Sequence, residues 1–128
     1  MTELTYLASP YFDPDPSVRL FRFRAVSRVA AGMMKEGTMV FSPISHCHPM
    51  AEEAGLPKGW GFWGKYDEAM LSRCQKMVVL KLPGWDKSEG VSREIELARE
   101  FGIPVEFMET SIVSLYPPMN SGVSCEDL

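Results

Sequence analysis

A change of period constrains this chain most. Residues 77–82, Met-Val-Val-Leu-Lys-Leu, read as a buried strand, and residues 91–101 read as a helix that stops at Gly102. Between them Ser88-Glu89-Gly90 makes a turn at a helix start, where free backbone N–H groups form a ready anion site. Wound at about 3.6 residues per turn, Val91, Ile95, Leu97, Ala98 and Phe101 share one face. Ser92, Arg93, Glu96, Arg99 and Glu100 take the other. Glu94 falls in the middle of the apolar face. A carboxyl group turned toward a core is costly unless it is paired or used, so Glu94 is the first candidate for chemistry. The plain alternative is a first-turn acid stabilised by the helix dipole.

The same alternation runs along the whole chain. Residues 4–8 read as an apolar strand ending at Ser9-Pro10. Asp15 followed by Pro16 is a helix start, and that helix runs to about Glu36 with Gly37 as its stop. Val18, Phe21, Ala25, Val29 and Met33 form its apolar stripe. Arg19, Arg22, Arg24 and Arg28 lie on the other sides and read as a solvated face. Residues 38–42 are a second strand. Residues 43–58 are rich in Pro, His and Gly and read as a long connecting loop, a candidate lid. A second helix covers residues 60–76, with Trp63, Tyr66, Met70, Leu71 and Cys74 on its apolar face. Asp67 sits on that same face, a second inward carboxylate. Residues 103–107 are a fourth strand, a fifth short strand fits residues 112–115, and residues 110–128 read as a loose tail.

Strand and helix in alternation predict a single α/β domain over residues 1–128, Rossmann-like or flavodoxin-like. It would have a parallel sheet of four to five strands, flanked by helices and joined by right-handed crossovers. Ligands of such sheets bind at the carboxyl ends of the strands. Ser9-Pro10, Ser42-Pro43, Pro83-Gly84 and the Ser88–Gly90 turn all fall there. Ser9, Pro10, Tyr11, Ser88 and Gly90 are therefore candidate substrate contacts, with Glu94 beside them.

Composition narrows the function classes. The net charge is −4 and no Lys/Arg run exceeds an isolated pair, which disfavours a reader of nucleic-acid polymers. Apolar runs are too short for a membrane span, and a signal-peptide pattern is not evident at the N-terminus. Three widely spaced cysteines, Cys47, Cys74 and Cys125, point to free thiols and a cytoplasmic setting. His46-Cys47-His48 has no second Cys/His cluster to complete a metal site, so no metal is expected. His46 reads as a loop histidine, on the surface or lining a polar site. Trp60, Trp63 and Tyr11 read as packing residues, any one of which could instead stack on a flat ring. Two inward carboxylates at one sheet edge fit the nucleophile and acid/base pairing that breaks glycosidic bonds.

Three features together resemble the nucleoside 2-deoxyribosyltransferase superfamily: Tyr6-Leu7-Ala8-Ser9-Pro10 after the first strand, Asp67 on the helix before the third, and Ser88-x-Gly90-Val91-x-x-Glu94-x-x-x-Ala98. The Ser-x-Gly-Val-x-x-Glu form is closer to its 2′-deoxynucleoside 5′-monophosphate N-glycosidase branch. The resemblance implies a parallel-sheet fold, a homo-oligomer (dimer or tetramer) and a covalent mechanism without metal or organic cofactor. By resemblance, Glu94 attacks the anomeric carbon of a 2-deoxyribosyl group, and Asp67 protonates the departing base or holds the nucleophile. Tyr6 tunes the glutamate, and Ser88 and the Gly90 amide touch the 5′-phosphate or 5′-hydroxyl. The family's early-loop glycine is Ser9 here, and the glycine often found two residues after the glutamate is Glu96. The alternative of another class is a nucleotide-binding sensor module of the same fold that turns nothing over. A phospho-acceptor role for Asp86 is disfavoured, because no acidic cluster near the first strand would hold magnesium.

Overall fold

The computed structural model describes residues 2–110. Four parallel strands, β1 (Leu4–Ala8), β2 (Met39–Phe41), β3 (Lys76–Leu80) and β4 (Val105–Met108), form one sheet in the order β2-β1-β3-β4. The fold is Rossmann-like α/β. The fifth strand expected over residues 112–115, the tail and Cys125 lie outside the described residues.

Side chains alternate across the central strands, as the two-residue period of a strand requires. Leu7, Val78 and Leu80 face one side, where α1 (Pro16–Lys35) and α2 (Pro43–Ala54) supply Ala25, Val26, Ala30 and Ile44. Tyr6, Ala8, Met77 and Val79 face the other, covered by Leu71 of α3 (Trp60–Leu71) and by Val91 and Ala98 of α4 (Glu89–Glu100). The central strands β1 and β3 are buried on both faces, which is why they are largely apolar runs, whereas Met39 of β2 and Glu106 and Phe107 of β4 are exposed at the edges.

α1 starts as the sequence indicates: Asp15 caps it by accepting from the Ser17 amide at 2.9 Å, with Pro16 at the first helical position. Its buried centre is Ala25, Val26 and Ala30, so the expected stripe marks only one edge of a wider face pressed between sheet and α2. Two of its arginines are not a solvated face. Arg22 donates to the carbonyls of Phe12 (3.0 Å), Tyr11 and Pro83 (both 3.4 Å), tying the loop after β1 to the loop after β3. Arg19 donates to the Asp13 carbonyl at 2.6 Å.

Two segments depart from expectation. Residues 43–54 are not a loop but the helix α2. Ser42 caps it, accepting from the Ser45 amide at 3.2 Å; Pro43 occupies the first turn, and Gly55 ends it at φ 66°. Those are ordinary start and stop signals; Pro49 inside the helix masks them. The helix expected over residues 60–76 stops at Leu71 instead. Gln75, just before β3, is already tied to β1: its amide donates to the Leu4 carbonyl at 2.9 Å and its side chain accepts from the Leu4 amide at 2.7 Å. Tertiary pairing overrides a local pattern that could have continued. On α4, Phe101 lies past the last turn and is exposed, so it does not share the buried face.

Candidate functional site

The carboxyl ends of β1, β2 and β3 open onto a cavity of about 560 Å³ at the position where the chain reverses its winding about β1. Its lining comes from both sides of the sheet. Asp67 of α3 and Glu94 of α4 come from one side; Ile44, Cys47 and His48 of α2 come from the other.

Glu94 is the centre of this site. It is 4% exposed and sits past the first turn of α4, beyond the reach of the dipole role open to a first-turn acid. Tyr6, wholly buried on β1, donates its hydroxyl to Glu94 Oε2. None of the ion pairs among the described residues involves Glu94 or Asp67. Burial, with Asp67's charge adding to it, pushes the Glu94 carboxyl up to about 8, against the pull of the Tyr6 hydrogen bond. Burial likewise pushes Asp67 up to about 7, and its Oδ1 is buried without a partner. Two carboxyls that repel each other titrate as a pair, so near neutrality they share about one proton. The Tyr6 phenol is held well above its usual range, by burial first and by Glu94 next, so it remains a donor. The Tyr6 donor favours the anion on Glu94 without outweighing burial, so in the free site the shared proton rests mainly on Glu94, and the form with the proton on Asp67 is the minor one.

Around this pair the wall is partly aromatic and partly cationic. Trp60, Trp63, Tyr11 and Phe12 line it together with Lys58 and Lys87. The absence of a side chain on Gly64 lets the Trp60 indole lie against α3, where a Cβ would come within 2.8 Å of the ring. Ser88 and Gly90 bring the start of α4 to the cavity. The Ser88 hydroxyl caps that helix, accepting from the Val91 amide at 3.2 Å. Ser9 is buried at the end of β1 with its hydroxyl aimed at no protein partner. A buried, unpartnered hydroxyl in a cavity wall is an open place for a ligand's polar atom.

Of the residues singled out by sequence, Glu94, Asp67, Ser9, Tyr11, Trp63, Ser88 and Gly90 line one cavity, and Tyr6 lies beneath it bonded to Glu94. Pro10 is buried in the core and does not line it. His46 is displaced from the expected place: it is exposed and stacks on Tyr66, 6.0 Å between ring centroids, outside the cavity. Once residues 43–54 are a helix, residues two apart point to different sides, and it is His48 that turns inward. His48 is buried, stacks on Phe23 at 4.4 Å between centroids, and shares a hydrogen bond between its Nδ1 and the Tyr11 hydroxyl at 2.5 Å. Lys58, Lys87 and His48 are among the lining residues that sequence reasoning passed over; the capping signals of α2 would have exposed His48. Among the described residues no group of three or more His, Cys, Asp or Glu side chains could hold a metal ion. No helix there is long and apolar enough to cross a membrane.

Residues 3–110 match the family described as Domain of unknown function (DUF1937), and the chain belongs to that family. None of the curated proteins compared with the chain matches it.

Proposed function

We propose that this DUF1937 domain breaks the N-glycosidic bond of a deoxynucleoside or deoxynucleoside 5′-monophosphate, passing the 2-deoxyribosyl group through a covalent bond to Glu94. The observation that carries the reading is a buried glutamate with a tyrosine donor, lining one cavity with a second raised carboxyl, neither of them in an ion pair among the described residues. Such a pair is expensive in a fold that does not use it.

In the reaction a Glu94 carboxylate oxygen attacks the anomeric carbon as the carbon–nitrogen bond breaks. The bonding electron pair goes to the base nitrogen, and the Asp67 carboxyl supplies the proton the base takes up. Water, or a second base, then attacks the anomeric carbon, gives up a proton to the Asp67 carboxylate and releases Glu94. The reaction starts from the form with the shared proton on Asp67, which the Tyr6 hydrogen bond to Glu94 favours. The start of α4, with the Gly90 amide and Lys87 close by, suits the 5′ end of the substrate, and a phosphate there would meet both the helix dipole and a cation. The resemblance that motivates this reading also carries a cytoplasmic homo-oligomer, dimer or tetramer, which sedimentation velocity tests directly.

Chromatography of free base after incubation with a panel of deoxynucleosides and their monophosphates tests the proposal. Base release or exchange that disappears in Glu94→Ala is the expected result. Nucleotide-dependent thermal stabilisation without any product would instead make the domain a binding module.

A further inference from the structure

The cavity wall opposite the carboxylates is built with more care than packing requires. Tyr11, from the loop after β1, and His48, from α2, both line the cavity and are joined by the 2.5 Å bond between the phenol hydroxyl and Nδ1. The imidazole is fixed on its other surfaces: it stacks on Phe23 of α1 and meets the Tyr11 ring edge-on, 5.4 Å between centroids. The loop that carries Tyr11 is in turn held by Arg22, which donates to the carbonyls of Tyr11 and Phe12. Burial lowers the His48 pKa, so the ring is neutral at pH 7 and offers one donor and one acceptor nitrogen. With the phenol donating to Nδ1 the imidazole proton is on Nε2; with Nδ1–H donating, the phenol keeps its own proton to offer. In either arrangement the pair presents polar atoms held in place before any ligand arrives, with the Arg19 guanidinium close to the phenol.

A substrate lying with its anomeric carbon at Glu94 and its 5′ end at the start of α4 has one remaining part, the base. The two carboxylates and the helix start come from α3 and α4 on one side of the sheet, so the base extends toward the wall supplied from the other side. We propose that Tyr11 and His48 read the departing base: Tyr11 contacts its polar edge, and His48 is the positioning residue that fixes the Tyr11 hydroxyl. This inference rests on the glycosidase reading of the site and extends it to the choice of base. Neither residue forms or breaks a bond in it; the proton still moves from Asp67 to the base.

The test measures kcat/KM for the purine and pyrimidine deoxynucleoside monophosphates and for 4-nitrophenyl 2-deoxyriboside, whose leaving group lacks a base edge. The wild type is compared with Tyr11→Phe, His48→Leu, His48→Gln and the Tyr11→Phe/His48→Leu double variant. Loss of one neutral hydrogen bond is worth roughly tenfold in rate. Tyr11→Phe is expected to cut kcat/KM by about that factor for the preferred base and less for the nitrophenyl substrate, flattening the preference among bases. His48→Leu should do the same. The double variant should be no worse than either single one, because the two act as one unit. Gln at position 48 keeps an acceptor for the phenol and should restore most of the preference. Equal losses on every substrate, or additive losses in the double variant, would overturn the assignment. An inactive wild type would overturn the glycosidase reading itself, a different outcome. Near-ultraviolet circular dichroism of each variant separates a lost contact from a lost fold.

Discussion

Glu94→Gln isolates the cost of burying a carboxyl that makes no ion pair among the described residues. A carboxyl held at about 8 in the folded chain, against an ordinary value of 4.5, keeps its proton over a range where the unfolded chain has released it. The folded state then binds more protons than the unfolded one, so stability falls as pH rises through that window. Below the ordinary value both states are protonated and the penalty vanishes; above about pH 8 it is complete. Each pKa unit is worth about 1.36 kcal/mol. Glu94 therefore withdraws about 5 kcal/mol between acid and mildly alkaline solution, a large part of the stability of a small domain. Glutamine keeps the shape and still accepts from Tyr6 but does not ionise. Urea denaturation at about pH 5, 6, 7 and 8 checks this. Wild type should lose stability steadily across the series, and the variant about half as much, retaining the slope owed to Asp67, which burial holds at about 7. At the alkaline end the variant should be the more stable protein, reversing the usual sign for a core substitution. Parallel slopes would mean that Glu94 titrates normally, and the physical reason for placing chemistry there would be gone.

Other outcomes follow from the same geometry. The rate of base release should trace a bell, because it needs one proton on the pair: activity is lost below about 7 as the second carboxyl protonates and above about 8 as the last proton leaves. A profile flat across that range would contradict a shared proton. Tyr6→Phe removes the hydrogen bond that favours charge on Glu94, so the maximum rate should fall about 10- to 100-fold and the alkaline limb should move to higher pH. An unmoved limb would leave Tyr6 a packing residue. Gly84→Ala should cost about 1–2 kcal/mol, because Gly84 has φ +91° and a Cβ there would lie 2.7 Å from Arg22 Nη2. Thermal denaturation reads it, and no loss would show that the Arg22 tie between the two loops is slack.

Period and capping carried most of the fold because both act locally. The limits of β1 and the start of α1 follow from an apolar run and from Asp15-Pro16, and neither depends on what lies across the sheet. Errors arose where a distant partner decides. Gln75 leaves a helical pattern because Leu4, remote in sequence, offers it backbone groups. Val26 and Ala30 count as core only once α1 is pressed between the sheet and α2. At the site, Glu94 and Asp67 were legible because a polar residue on an apolar helix face breaks a pattern that the residue carries within its own few turns. His48 broke no such pattern: with Pro49 beside it, its segment looked like a loop, and a loop has no inward face to violate.

That difference bears on how the cavity is organised. The carboxylates stand on helices whose burial in the core fixes them from below, through Tyr6, Val91 and Ala98. The opposite wall rests on a loop and on a helix with a proline in its middle, held by Arg22, by Phe23 and by one short hydrogen bond. A reaction at a sugar carbon needs the first to be rigid in every substrate complex. Discrimination among bases needs only that the second wall be set by few contacts, each replaceable without disturbing the acids. Changes at Tyr11 or His48 should therefore retune which base leaves, while changes at Tyr6 should alter the rate for all of them. A Tyr6 variant that changed preference among bases without changing the rate would show that the two walls are not separable.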